Sequence, residues 1–260
     1  MSEVVVAGSK SVEAFSGFAV DPTFDISKVI LPILTVRQNT FKNEAVKKFR
    51  PGDVILRPDM RVVADESKVF QVIPLSFSEI TKVLEVVSNS ETRLVKTEAV
   101  DPTKPFSWEE GKRVFRRDIC NVVYFLPVGA AKAQAAAMAN GAMEPDDFVL
   151  PLRVVFTRGG LHSGKVIGSH FETCKLFNAP SYGKVYDLRS EAKSNDKGNW
   201  FVFNVTPALE KDKNMKTPKE LLPIAAFWSK VLANSQNNIK VAPEDDTEVV
   251  ETSSELPTNF

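Results

Sequence analysis

The sequence predicts a mainly β protein whose strands close into a barrel or stack as a sandwich. Short β-branched and apolar runs recur along the chain, Pro and Gly punctuate them often, and helical signals are few. With 260 residues, 43% hydrophobic and 25% charged, the chain can bury a large core.

Residues 1–24 are Gly-, Ser- and Ala-rich and read as a loosely ordered arm. Val29-Ile30-Leu31-Pro32-Ile33-Leu34-Thr35-Val36 reads as a strand, its proline suiting an edge or a strand start. Pro51-Gly52-Asp53 marks a turn, and Val54-Ile55-Leu56 and Val69 to Leu75 are further strands. Residues 78–87 fit both periods: Ile80, Val83, Leu84 and Val87 have helical spacing, while the β-branched content favours a strand. Asn121 to Pro127 reads as a buried strand, and Phe148 to Thr157 alternates as a half-buried one. Val166-Ile167 and Phe171 are assigned to another strand, with His162 and His170 in loop near its end. Lys184 to Leu188 and Trp200 to Val205 flank a polar connection, Ser190 to Asn199, as a long hairpin. No strand–helix alternation points to a parallel sheet.

Two helices interrupt this pattern. Residues 129–143 are alanine-rich, and alanine is the best helix former, with Gly141 placed to stop the helix. Thr217-Pro218-Lys219-Glu220 reads as a helix start with Thr217 as N-cap. Leu221, Leu222, Ala225, Trp228, Val231 and Leu232 then give that helix one apolar face.

Charge is unevenly distributed. The formal net charge is zero, but Pro243 to Phe260 holds six acids and no Lys or Arg. Residues 1–242 therefore carry 33 bases against 27 acids, a net of +6. A basic body with an acidic tail suits a polyanion-binding surface and a segment that competes for it; a solubilising tail is the bland alternative.

Catalytic constellations are scarce. Two cysteines, Cys120 and Cys174, and two histidines do not make a usual zinc set, so they read as thiols of a reducing, cytoplasmic location. Gly159-Gly160, Gly164 and Lys165 lack the spacing of a phosphate-binding loop, and no Gly-x-Ser-x-Gly elbow occurs around His162 and His170. No cofactor, metal or catalytic residue is expected. No apolar run reaches bilayer-spanning length, and the N-terminus lacks the pattern of a signal peptide.

The positive signal is basic residues interleaved with aromatics. Trp108, Lys112, Arg113, Arg116 and Arg117 form one cluster; Arg153, Arg158, Lys165, Lys175, Phe177, Tyr182, Lys184, Tyr186 and Arg189 follow. Cations follow the phosphates of an unpaired strand, while aromatic faces stack on splayed bases at roughly 1–3 kcal/mol each. Most of the chain's Phe residues are needed for the core, so exposure is expected at Tyr182, Tyr186, Trp108 and Phe177. In the tail, Asp245, Asp246, Glu248, Glu251 and Glu255 precede Leu256-Pro257-Thr258-Asn259-Phe260, an aromatic carboxy-terminus suited to a base-rimmed apolar pocket on a partner.

These features resemble the single-stranded DNA-binding proteins of tailed phages. Ile30 to Gln38, Pro51-Gly52-Asp53 and Val72-Ile73-Pro74-Leu75 also resemble a widespread phage replication-gene family. The resemblance implies an oligonucleotide-binding (OB) body, an OB-like antiparallel barrel with added strands, an Ala-rich inserted helix and a C-terminal helix. It divides the chain into an arm, 1–24, a DNA-binding body, 25–236, and a disordered acidic tail, 237–260. It further implies a protein of the host cytoplasm that coats single strands during replication, recombination or repair. Replication or transcription proteins would be recruited through the tail, and homo-oligomerisation is left open. The tail departs from the usual pattern, since four residues separate Glu255 from Phe260. The competing reading is a structural or scaffold protein of a virus particle.

Overall fold

A computed structural model describes residues 26–38, 48–88, 91–142, 148–196, 198–234 and 240–241. The expected arm and the tail residues Asp245, Asp246, Glu248, Glu251, Glu255 and Phe260 lie outside the described residues. In chain order the labelled strands are β1 (Ile30–Leu31), β2 (Ile33–Val36), β3 (Val54–Arg57), β4 (Arg61–Ala64), β5 (Phe70–Ser88), β6 (Glu91–Ala99), β7 (Ser107–Glu110), β8 (Arg113–Pro127), β9 (Leu152–Thr157), β10 (Tyr186–Asn195) and β11 (Gly198–Pro207). The helices are α1 (Val128–Ala139), α2 (Leu161–Leu176) and α3 (Leu222–Asn234). Among the described residues no helix is long and apolar enough to cross a membrane.

One ten-stranded sheet dominates, in the order β11-β10-β5-β8-β9-β2-β3-β4, with β6 added to β5 and β7 to β8. The expected mainly β class holds, but the sheet is mixed, because β2 pairs β9 in parallel. It curls without closing into a barrel. At the nearest approach a side chain stands in for a ladder: Gln38 Nε2 donates to the Phe201 carbonyl at 2.7 Å, and Phe201 N donates back to Gln38 Oε1 at 3.0 Å. A second bridge runs from Ala192 N to Glu66 Oε1 at 3.1 Å.

The concave face holds one core, with Leu34, Val36, Val54, Leu56, Val123, Phe125, Val154, Phe156, Leu188 and Val205 around Ile167 of α2. Alternation in β2, β3, β8 and β9 puts these residues on one face and their neighbours on the other. A second core lies on the outer face, where Leu31, Ile73, Leu75 and Leu126 meet α1 and α3 around Trp228. Trp228 is fully buried, and its indole N–H donates to the Val149 carbonyl at 3.0 Å.

The ambiguous segment 78–87 is strand: β5 runs through nineteen residues, with a bulge between Pro74 and Ser76 against β8 and register shifts at Val83/Leu84 and Val86/Ser88 against β6. Beyond Ile80 it pairs with β6, while the outer end of β8 pairs with β7. The four form an arm of the sheet in which β5 satisfies a ladder on both sides, from β6 and β8, which overrides its helical spacing. The polar connection 190–199 is largely strand too, since β10 and β11 pair from Tyr186↔Pro207 to Asn195↔Gly198.

Two local expectations are corrected. Residues 161–176 form helix α2 rather than the strand assigned to Val166-Ile167 and Phe171. Glycines at 160, 164 and 168 recur every four residues and line the face that lies against the sheet. A Cβ at Gly164 would come within 2.7 Å of Asn121 Cβ, and one at Gly168 within 2.8 Å of Phe77 Cζ. Close approach explains Gly164 and Gly168. Thr217 does not cap α3; its hydroxyl donates to the Tyr182 carbonyl at 2.6 Å, and a short 3₁₀ turn over Lys219–Leu221 precedes the helix.

Candidate nucleic-acid interface

The structure separates the fourteen basic and aromatic residues singled out above. Trp108, Arg113 and Arg117 share one face of the arm. Trp108 stacks on Phe115 at 5.2 Å, its cross-strand partner, and the Arg117 guanidinium lies 4.0 Å from its ring centre. Acids on neighbouring strands take up the cations: Arg113 pairs both oxygens of Glu85, and Arg117 pairs Glu98 at 3.1 Å. Lys96 and Lys104 join Glu98, at 3.0 and 3.4 Å. Lys96 first and Arg117 second hold the Glu98 carboxyl at about 2, well below its ordinary value. The Arg113 and Arg117 guanidiniums are thus each held by a carboxylate, and the indole is engaged between Phe115 and Arg117.

A second group lies at the far end of α2. Phe177 is 73% exposed and Leu176 79%, beside Lys175, which pairs Glu172 at 2.6 Å. Lys165 is exposed on the same helix. Tyr182 and Lys184 are half-buried, and Tyr182 packs against the second core. Arg189 is exposed on β10. Tyr186, expected to be exposed, is 3% exposed in the first core, and burial pushes its phenol up to about 12. It is sealed away from any base. Lys112 occupies the exposed β7–β8 turn.

The third group is different. Arg116, Arg153 and Arg158, all half-buried, lie with the half-buried Lys82 and the buried Arg57 on the outer face. Strand alternation decides this: Leu152, Val154 and Phe156 point into the first core, so Arg153, Val155 and Thr157 point outward. The same rule turns Thr35 and Arg57 outward from β2 and β3. Arg153 and Arg57 flank Ile33 across three strands, and Lys82 opposes Asp118 across β5 and β8.

Asp118 joins two guanidiniums. Arg158 approaches its Oδ2 through Nε at 3.0 Å and Nη2 at 2.9 Å. Arg116 Nε lies 2.9 Å from Oδ1 but is misaligned for a hydrogen bond. Burial, and then repulsion from Arg158, push the Arg116 guanidinium down. Arg158 also holds a left-handed backbone, φ 45°, costly for a non-glycine residue and common at functional sites.

Beside this cluster a cavity opens where β2 and β9 part. The two strands pair only at Ile33↔Arg153 and Leu34↔Val154, although both run on. Its charged lining is Arg57, Lys82, Arg158 and Asp118. Sequence reading missed Arg57, Lys82 and Asp118, because nothing local distinguishes an isolated charge on a strand from a solvated one.

The cysteines and histidines make no reactive pair. Cys174 Sγ lies 3.6 Å from Nε2 and 3.8 Å from Nδ1 of His170, over the ring edge, while Nε2 faces the Ser181 carbonyl at 2.7 Å. Burial raises the thiol and lowers the imidazole, opposite to an activated thiolate–imidazolium couple. Among the described residues no group of three or more His, Cys, Asp or Glu could hold a metal ion.

Comparison of the chain with protein-family models, curated proteins and solved structures finds no match.

Proposed function

We propose that the chain is a sequence-tolerant single-stranded DNA-binding protein of a phage, acting in the host cytoplasm, with binding rather than catalysis as its task. One observation carries this: the outer face brings together the half-buried Lys82, Arg116, Arg153 and Arg158 and the buried Arg57 from four strands and the turn after β9, with Asp118 among them. The body's net +6 agrees with it. The reading moves the interface away from the aromatic arm, and the curled sheet serves as an OB-type platform would. Phosphate contacts, rather than base stacking, then dominate affinity. The acidic tail competes for this face and recruits replication or transcription proteins.

A titration of labelled oligo-dT and of duplex at two salt concentrations tests the proposal. Neutralising three to five phosphates gives a log–log salt slope of about −2 to −4 for a single strand. Oligo-dT should bind more tightly than duplex, and a chain that leaves oligo-dT mobility unchanged at low salt refutes the assignment. Removing residues 243–260 should tighten binding; unchanged affinity would dismiss the competing tail.

A further inference from the structure

We infer that the surface at the C-terminal end of α2 holds one nucleotide of an unpaired strand, its base on the Phe177 ring and its phosphate between Lys184 and Lys216. The inference rests on the DNA-binding reading for the identity of that strand. Leu176 and Phe177, 79% and 73% exposed, are the two most exposed large apolar side chains among the described residues, and they are neighbours in the chain. Apolar side chains exposed singly are ordinary surface, but an adjacent pair is a patch. The Phe177 ring has no ring or cation partner among the described residues, unlike Trp108, Phe115 and Phe171.

The helix end fixes this ring in place. Asn178 takes the left-handed conformation, φ 48°, and turns the chain back. Its N–H donates to the Lys175 carbonyl at 3.1 Å, and Ala179 N donates to the Cys174 carbonyl at 2.8 Å. Backbone bonds thus close the last turn, and Phe177 stands on it as the C-cap residue. A phenyl ring has only two side-chain torsions, so on a fixed backbone it gives up little freedom when a base lies on it.

The cations come from elsewhere in the chain. Lys184 and Lys216 stand directly opposite in an isolated antiparallel bridge. Val185 N donates to the Met215 carbonyl at 3.0 Å and Thr217 N to the Gly183 carbonyl at 3.1 Å. Those bonds flank the pair rather than join it, the arrangement in which facing side chains come closest. Like charges placed so repel. Lys175 is engaged by Glu172, but neither Lys184 nor Lys216 forms an ion pair among the described residues. An anion between the two ammoniums relieves their repulsion, and a phosphodiester is such an anion. Lys184 lies against the last turns of α2: its charge adds to burial in lowering the His170 imidazole and opposes burial at the Cys174 thiol. Cys174 is three residues before Phe177, so ring and cations flank one surface. One flat ring beside two paired lysines matches the alternation of base and phosphate along a strand better than it matches a lipid surface. The sixteen residues of α2 set this surface about 24 Å from the cavity that Gly160 lines.

The test measures oligo-dT binding by the full chain, by anisotropy across a salt series, for Phe177→Leu, Phe177→Trp and the double variant Lys184→Gln/Lys216→Gln. Each variant is first checked for an unchanged thermal midpoint, and the exposed Phe177 keeps the test available should the half-buried Lys184 be needed for folding. Phe177→Leu should weaken binding about tenfold with the salt slope unchanged. Phe177→Trp should restore it, with the added indole quenched by oligo-dT. Loss of both lysines should lower the log–log salt slope by about 0.7, one phosphate contact. Phe177→Leu that binds oligo-dT as the native chain does overturns the inference and leaves the DNA-binding reading standing. No oligo-dT binding by the native chain at low salt overturns the DNA-binding reading, and this inference with it. Binding of phosphatidylglycerol vesicles that Phe177→Leu abolishes, with oligo-dT binding unchanged, assigns the apolar pair to a lipid surface and overturns the inference.

Discussion

Glu98 sits among Lys96, Lys104 and Arg117 on the arm, and its carboxyl is held at about 2 against an ordinary 4.5. A carboxyl lowered on folding contributes stability that is fully present above its unfolded value and lost as pH falls through the folded one. The arm should therefore loosen between about pH 4.5 and pH 2, read from the emission of Trp108, whose ring lies under Arg117. Glu98→Gln should abolish this acid transition while leaving Phe125 and the body packed; an unchanged titration would rule Glu98 out as its origin. Gly164 gives a second residue-scale prediction. Alanine there gains helix propensity but meets Asn121 and Phe156 at 2.6–3.0 Å, contacts close to the backbone that cannot swing away. Overpacking of this kind costs about 1–3 kcal/mol. Gly168→Ala should cost less, since the obstructing atom is the far end of the Phe77 ring. Urea denaturation of the two variants orders them, and equal costs would refute the close-approach account.

Among the elements, α3 is docked where β5 breaks its ladder with β8. The bulge between Pro74 and Ser76 takes Leu75 out of register, and Ser229 Oγ donates to the Leu75 carbonyl at 3.0 Å. Ser229→Ala leaves that carbonyl buried without its donor, at a cost of about 1–3 kcal/mol. Amide exchange along β5 near the bulge should rise with it; exchange that rises only in the arm would contradict this docking role. The same strand shows why helical spacing misleads in residues 78–87. Ile80, Val83 and Leu84 meet partners on both sides from β6 and β8, which fixes them in strand whatever their helical spacing. Helix α2 is the converse case. Val166, Ile167 and Phe171 favour a strand locally, yet the glycines repeated every four residues give the segment a flat face for the sheet. That repeat was present in the sequence and was the signal to find it.

At the scale of the whole molecule, the curl of the sheet is completed by side chains instead of a ladder. Gln38 exchanges two hydrogen bonds with the backbone of Phe201 and so imitates one strand pair. Gln38→Ala should cost about 1–3 kcal/mol, because both backbone groups of Phe201 lose their partner. Hydrogen exchange at Phe201 should accelerate while that at β8 stays slow; protection unchanged at Phe201 would show that the curl is held elsewhere. Gln38, Phe201 and Phe203 also line the cavity beside β2 and β9.

The sequence by itself determined the mainly β character, the alanine-rich helix, the apolar face of the last helix and the contrast between a basic body and an acidic tail. Propensity, alternation and composition are local or additive properties, and they are readable one segment at a time. Tertiary structure alone decided which charges meet. Arg113 meets Glu85 across 28 residues and Arg158 meets Asp118 across 40, and no local pattern records such encounters. The aromatic–basic run at 106–117 looked like an interface, and folding brings acids onto it. Arg57 and Lys82, isolated on separate strands, carried no signal in the sequence, and folding brings both into the cavity lining with Arg158. Charge neutralisation depends on pairing distant strands, so it enters only with the fold.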